Sequence, residues 1–173
     1  SIISDQAFRA ELAQQLARLW RYGLLLSRNR HVAEDLVQTT CVRALERSAQ
    51  YVAGTRMDLW LLSILHSTWL NEVRARRVRQ GGGHTDGQMM LDGEYAAQTH
   101  VMAAQVIRRV DALPETQRET VYLAYVEGLS YREVAEILQV PIATVMSRLA
   151  TARLKLAEYP PLQAVPKTTE GDR

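Results

Sequence analysis

Ser130-Tyr131-Arg132-Glu133-Val134-Ala135-Glu136-Ile137-Leu138-Gln139-Val140-Pro141-Ile142-Ala143-Thr144-Val145-Met146-Ser147-Arg148-Leu149 reads as two short helices joined by a tight turn. Ser130 and Glu133 have capping-box spacing, which starts the first helix. Val134, Ala135, Ile137 and Leu138 supply its apolar side, and Ala135 is small where two crossing helices must approach closely. Val140 fits beneath the turn. Pro141 opens the second helix, expected to reach about Glu158 before Pro160 and Pro161 stop it. Val145, Leu149 and Leu156 face inward at helical spacing, which leaves Thr144, Ser147, Arg148, Thr151 and Lys155 mostly outside. Residues 130–155 thus have the parts of a helix-turn-helix.

The second helix carries Arg148, Arg153 and Lys155 and no acid between Pro141 and Lys155. A major groove admits one helix, and arginine bonds a guanine edge or pins a phosphate. A solvated helical hairpin with a basic face is the alternative on spacing alone.

Working back toward the N-terminus, Glu115 to Glu127 is expected as a helix, with Leu113-Pro114 at its start and Gly128 as its C-terminal cap. Val101 to Val110 is helical in pattern. Gln80 to Gly87 holds four glycines in eight residues, the best domain boundary in the chain. Residues 81–100 carry three acids, Asp86, Asp92 and Glu94, and no Lys or Arg. The first block comprises three expected helices: Asp5 to Leu26 capped by Ser4, His31 to Ala49, and Met57 to Arg79. Phe8, Leu12, Leu16 and Leu19 line the first; Val32, Leu36, Val37, Cys41, Ala44 and Leu45 line the second. The third begins apolar and ends in Glu72-Val73-Arg74-Ala75-Arg76-Arg77-Val78-Arg79. Trp60 is expected in the core. Trp69 and Asn71 stand beside the basic track, a combination suited to unstacked bases.

The 173 residues are 47% hydrophobic and 23% charged, with a net charge of +2. Residues 1–80 hold 12 basic and 7 acidic side chains, residues 101–158 seven of each. This asymmetry favours a polyanionic partner. One cysteine, Cys41, excludes a disulfide framework and a multi-cysteine zinc site, and its place on an apolar stripe suits packing. His31, His66, His84 and His100 are scattered without ligand spacing, so neither metal nor cofactor is expected. Glu34 and Asp35, being adjacent, point in different directions on a helix and make a poor acid–base pair. No catalytic centre is visible, no apolar run is long enough to span a bilayer, and Ser1 to Asp5 has no secretory character. A cytoplasmic, non-enzymatic protein is the expectation.

Several motifs in order resemble the extracytoplasmic-function (ECF) sigma factors of bacterial RNA polymerase, over residues 9–158. Ala33-Glu34-Asp35-Leu36-Val37-Gln38-Thr39-Thr40 is similar to A-E-D-L-V-Q-E-T of sigma region two. Trp60-Leu61, Asn71 and Arg74-Ala75-Arg76-Arg77 resemble the later part of that region. Leu113-Pro114-Glu115-Thr116-Gln117-Arg118 resembles the opening of region four, and residues 128–149 its helix-turn-helix. The resemblance implies an all-α chain of two small helical domains: region two over 1–80, a flexible acidic linker over 81–100, region four over 101–159 and a disordered tail over 160–173.

It further implies binding to the beta-prime and beta subunits of core RNA polymerase, with Asp35, Leu36, Gln38 and Thr40 meeting the beta-prime clamp helices. The minus-ten promoter element would meet Met57, Asn71, Arg74, Arg76 and Arg77. The minus-thirty-five element would meet Arg132, Thr144, Ser147, Arg148, Thr151 and Lys155. An anti-sigma factor, in some cases membrane-anchored, is the implied regulator. Thr39 and Ala143 depart from the family's usual Glu and Gly. A sigma-like decoy without DNA binding would not need the basic faces, and a free-standing helix-turn-helix repressor would leave the region-two motif without a purpose.

Overall fold

The computed structural model describes residues 4–80 and 101–159, and among them every regular element is helical. The expected linker over 81–100 and tail over 160–173 lie outside the described residues.

The first block contains α1 (Asp5–Gln14), α2 (Leu16–Ser27), α3 (Arg30–Glu46) and α4 (Met57–Gln80). Ser4 caps α1, its Oγ accepting from the Ala7 amide at 3.1 Å. The sequence predicts one helix over Asp5–Leu26, but the chain turns at Gln15, whose amide donates to the carbonyl of Leu12 at 3.0 Å. The turn re-aims the apolar stripe. Phe8 and Leu12 enter the core from α1, Leu19, Tyr22 and Leu26 from α2, and Leu16 is left exposed. Arg28, in the left-handed region at φ 56°, closes α2, and Asn29 caps α3 by accepting from the Val32 amide at 3.1 Å.

The buried face of α3 is Ala33, Leu36, Thr40 and Ala44. It is rotated from the expected stripe, so that Cys41 is half-buried and Leu45 exposed. Thr40 enters an apolar interior at little cost because its hydroxyl donates to the Leu36 carbonyl at 2.7 Å. Burial pushes the Cys41 thiol upward in pKa, which suits a packing role.

The 24 residues of α4 span about 36 Å. Its first half is enclosed, with Met57, Leu61, Leu62, Ile64, Leu65 and Trp69 all buried. Its second half turns outward from Asn71 onward. Trp60 packs edge-on against Phe8 at 6.0 Å between ring centroids, in the core as expected.

The second block contains α5 (Val101–Asp111), α6 (Glu115–Val121), α7 (Tyr131–Leu138) and α8 (Ile142–Ala157). The α-helix expected to Glu127 instead widens after Val121 into a π turn over Tyr122–Val126. Tyr122, Leu123 and Ala124 are thereby buried in succession. Gly128, at φ 68°, takes the left-handed conformation its capping position requires. The capping box at Ser130 and Glu133 is complete, with both reciprocal hydrogen bonds formed. Replacing Ser130 by alanine should therefore lower stability by about 1 kcal/mol, read as a lower urea midpoint with an unchanged slope.

The two blocks pack against each other, whereas the glycine-rich stretch between them predicts separate modules. Tyr22 of α2 stacks on Tyr122, ring centroids 6.0 Å apart and planes 7° from parallel. Arg18 reaches Glu127 at 3.0 Å, Arg56 reaches Glu133 at 3.0 Å, and the Trp69 indole donates to Glu115 at 2.7 Å. Beneath these pairs, α4 lies along α7, and α2 meets α6.

Candidate polymerase and nucleic-acid interface

On α3, Asp35 and Gln38 are respectively exposed and at the helix surface, as a docking face requires. Leu36 and Thr40, expected beside them, are buried at 3% and 0% exposure, so they hold the helix in place and meet no partner. Thr39 lies on the same outer side, and Val42 is exposed.

The basic end of α4 presents Asn71, Arg74 and Arg77 at its surface. Arg76 is partly neutralised, its Nε lying 2.9 Å from Glu72, which also meets Arg79 at 3.6 Å. Two further expectations need correction. Met57 is 1% exposed, because the first turn of α4 faces the core formed with α1 and the Tyr51 loop; it cannot hold a base. Trp69 is 7% exposed and its indole is committed to Glu115, so in the packed arrangement it closes the seam between the blocks and does not face outward beside the basic track.

On the helix-turn-helix, Gln139 takes the left-handed region at φ 55°, and the Val140 amide donates to the Ala135 carbonyl at 3.1 Å. Val145, Leu149 and Ala152 anchor α8. Ser147 and Thr151 are exposed on α8 and Arg132 on α7, while Thr144 and Lys155 are half-buried. Arg148 points inward: its side chain is 24% exposed and its Nη1 lies 4.0 Å from Glu119. Arg153 is held at the helix flank by the hydroxyls of Tyr125 and Tyr131, the latter at 3.1 Å.

Glu119 belongs to a buried polar cluster between the blocks. His66 Nδ1 lies 3.7 Å from Glu119 and 3.2 Å from the Tyr22 hydroxyl. Burial first, and then Glu115, pushes the Glu119 carboxyl up to about 8, against the opposing pull of Arg148 and Arg118. Burial, with Arg148 as a second cause, lowers His66 to about 4. At pH 7 both partners are largely neutral, and the pair is not ionic. Sequence reading missed this cluster because Tyr22, His66 and Glu119 lie on three helices far apart in the chain.

Among the described residues no group of His, Cys, Asp and Glu is placed to hold a metal ion. None of the described helices is long and apolar enough to cross a membrane.

The models of sigma-70 region 2 and sigma-70 region 4 match residues 12–79 and 103–156. The chain is 30% identical over 153 residues to the ECF RNA polymerase sigma factor SigC of Mycobacterium tuberculosis, covering 87% of this chain and 81% of that one. It belongs to the ECF sigma factors. It is also 28% identical over 151 residues to the ECF sigma factor EcfG of Rhodopseudomonas palustris, covering 87% and 83% of the two chains. Among solved structures, the sigma factor RpoE of Bartonella quintana, in complex with the anti-sigma factor NepR, matches with a TM-score of 0.75 at 28% identity. That match covers 87% of this sigma factor and 94% of the other chain. The region-two match thus runs from the end of α1 through α4, and the region-four match from α5 through most of α8.

Proposed function

We propose that this sigma factor binds core RNA polymerase through the outer side of α3, around Asp35 and Gln38, and directs it to promoters. The outward end of α4, with Asn71, Arg74, Arg76 and Arg77, takes the single strand melted at the minus-ten element. Unstacking a base costs a few kcal/mol, and phosphate pairing by these arginines offsets it. The helix-turn-helix takes the minus-thirty-five element, with α8 in the major groove and Arg132 on its rim. The chain catalyses nothing; the chemistry is the polymerase's, and the setting is the cytoplasm. The observation that carries this reading is the pairing of two exposed surfaces on one chain, the arginine-rich end of α4 and the helix α8 with no acid along its length.

Two elements about 25 base pairs apart lie roughly 80 Å from each other along a duplex. A compact chain of 173 residues has a radius of gyration of about 16 Å. The two blocks must therefore part along the Tyr22–Tyr122 seam when the promoter is engaged, with 81–100 as the tether. An anti-sigma factor is the fitting regulator, since a relative of the same fold is held by one.

Incubating the purified chain with core polymerase and separating the mixture by size tests the reading. Co-elution of the two is expected, and a chain that never co-elutes at any salt concentration refutes it. Because Arg148 is turned toward Glu119, Arg148→Ala should weaken promoter binding by less than about fivefold, equally on every sequence. A base-reading arginine would instead cost about 1–3 kcal/mol on its own base pair alone. Filter binding to a panel of point-substituted promoters distinguishes the two.

A further inference from the structure

The outward face of α8 has an unusual composition for a helix destined for a polyanion. Ile142, Met146, Ala150 and Leu154 recur at intervals of four and are all exposed, Ile142 at 46%, Met146 at 54% and Leu154 at 72%. That spacing makes them one stripe along the helix. Next to it run Ser147 and Thr151, also exposed. The arginines of α8 are placed elsewhere. Arg148 is drawn in to Glu119, and Arg153 is fixed at the flank by Tyr125 and Tyr131. On the first three turns of α8 the guanidinium of Arg148 thus leans toward Glu119, away from the stripe.

We propose that α8 reads thymine methyl groups, with Ile142, Met146 and Ala150 as the specificity-determining residues for A·T pairs in the minus-thirty-five element; this rests on the sigma-factor reading above. In the major groove the thymine C5-methyl is the one apolar feature a base pair presents. An apolar stripe laid against it removes two apolar surfaces from water together. A G·C pair presents as many donors and acceptors as an A·T pair but no methyl, so the same stripe laid against it covers polar edges without the apolar gain. The face thus selects for the thymine methyl, and discriminates against guanine and cytosine only through its absence. Ser147 and Thr151 suit neighbouring positions, because a short hydroxyl bonds either kind of base edge. A duplex is favoured over a protein as occupant of this stripe. The stripe lies on the second helix of a helix-turn-helix, is interleaved with hydroxyls and carries no acid from Pro141 to Ala157.

The test uses the holoenzyme, this chain with core polymerase, on a promoter to which it binds. Each thymine of the minus-thirty-five element is replaced singly by deoxyuridine, which deletes the methyl and nothing else. At one or more positions affinity should fall about fourfold, the equivalent of about 0.8 kcal/mol for one buried methyl-sized group. Met146→Ala or Ile142→Ala should weaken binding to the thymine promoter and abolish the difference between thymine and deoxyuridine at one position. Met146 and Ile142 are exposed, so these variants fold. A holoenzyme that binds the promoter but is indifferent to every methyl overturns the proposal and leaves the sigma-factor reading standing. Met146→Ala and Ile142→Ala holoenzymes that both keep the full difference between thymine and deoxyuridine at every position also overturn it, and weaker association of these variants with core polymerase would then mark the stripe as a protein-binding face. A holoenzyme with no promoter binding at all refutes the underlying reading.

Discussion

Reversing Arg74, Arg76 and Arg77 together to glutamate should reduce open-complex formation about a hundredfold, leaving the fold and polymerase binding in place. Arg74 and Arg77 lie on the outward half of α4, and Arg76 pairs with the neighbouring Glu72 across one turn of the same helix. The buried half of α4 is untouched, so the core keeps its packing. On a single strand, each phosphate neutralised releases about 0.7 of a counterion. Without three such arginines, the slope of log affinity against log salt falls by roughly two units, equivalent to roughly two decades in affinity at about 0.1 M salt. Permanganate footprinting of the melted strand reports opening, and repeating it across salt concentrations reports the slope. Opening that survives the triple reversal, or an unchanged salt slope, places the strand on another surface.

Stability should fall by about 1 kcal/mol as pH rises from 6.5 to 8, because of the Glu119–His66 cluster. The Glu119 carboxyl is raised from 4.5 to about 8 in the folded chain. Its contribution is complete below 4.5 and is lost as pH rises through 8. The His66 imidazole is lowered from 6.5 to about 4, so its contribution is complete above 6.5 and is lost as pH falls through 4. Between 4.5 and 6.5 the two slopes largely cancel; above 6.5 the His66 contribution levels off and Glu119 dominates, with a slope below the limiting value of about 1.4 kcal/mol per pH unit. Urea midpoints measured at half-unit steps test this. In Glu119→Gln the amide stays neutral and the decline above about pH 6.5 should disappear. A wild-type curve that stays flat over the same range would mean that Glu119 is solvated. Since Tyr22 and His66 belong to region two and Glu119 to region four, the same proton favours the packed arrangement over the parted one.

What could be read from the sequence was local. Ser130 and Glu133, Pro141, and the Leu113-Pro114 turn each fix a few neighbouring residues, and the helices begin where these signals stand. The basic end of α4 was also legible, because four arginines in six residues leave the core whatever the tertiary fold. The turn at Gln15 carries no glycine or proline, and it is visible only where Phe8 and Tyr22 share one core. Thr40 stands as a docking residue only through the resemblance of residues 33–40 to region two; a single bond to the Leu36 carbonyl satisfies its hydroxyl inside. Met57, Trp69 and Arg148 escape sequence reading for one reason. Each is placed by tertiary packing, Met57 by enclosure in the core, Trp69 by Glu115 and Arg148 by Glu119. Periodicity says which face a residue occupies and nothing about what covers it.

Transcription of sheared genomic DNA from the source bacterium, by core polymerase with and without this chain, tests the sigma-factor role most directly. Sequencing the RNA 5′ ends should reveal a new set of start sites that share two short elements at fixed spacing upstream. The Arg74, Arg76 and Arg77 reversal should abolish them. The same start sites with and without the chain would contradict a role in promoter selection.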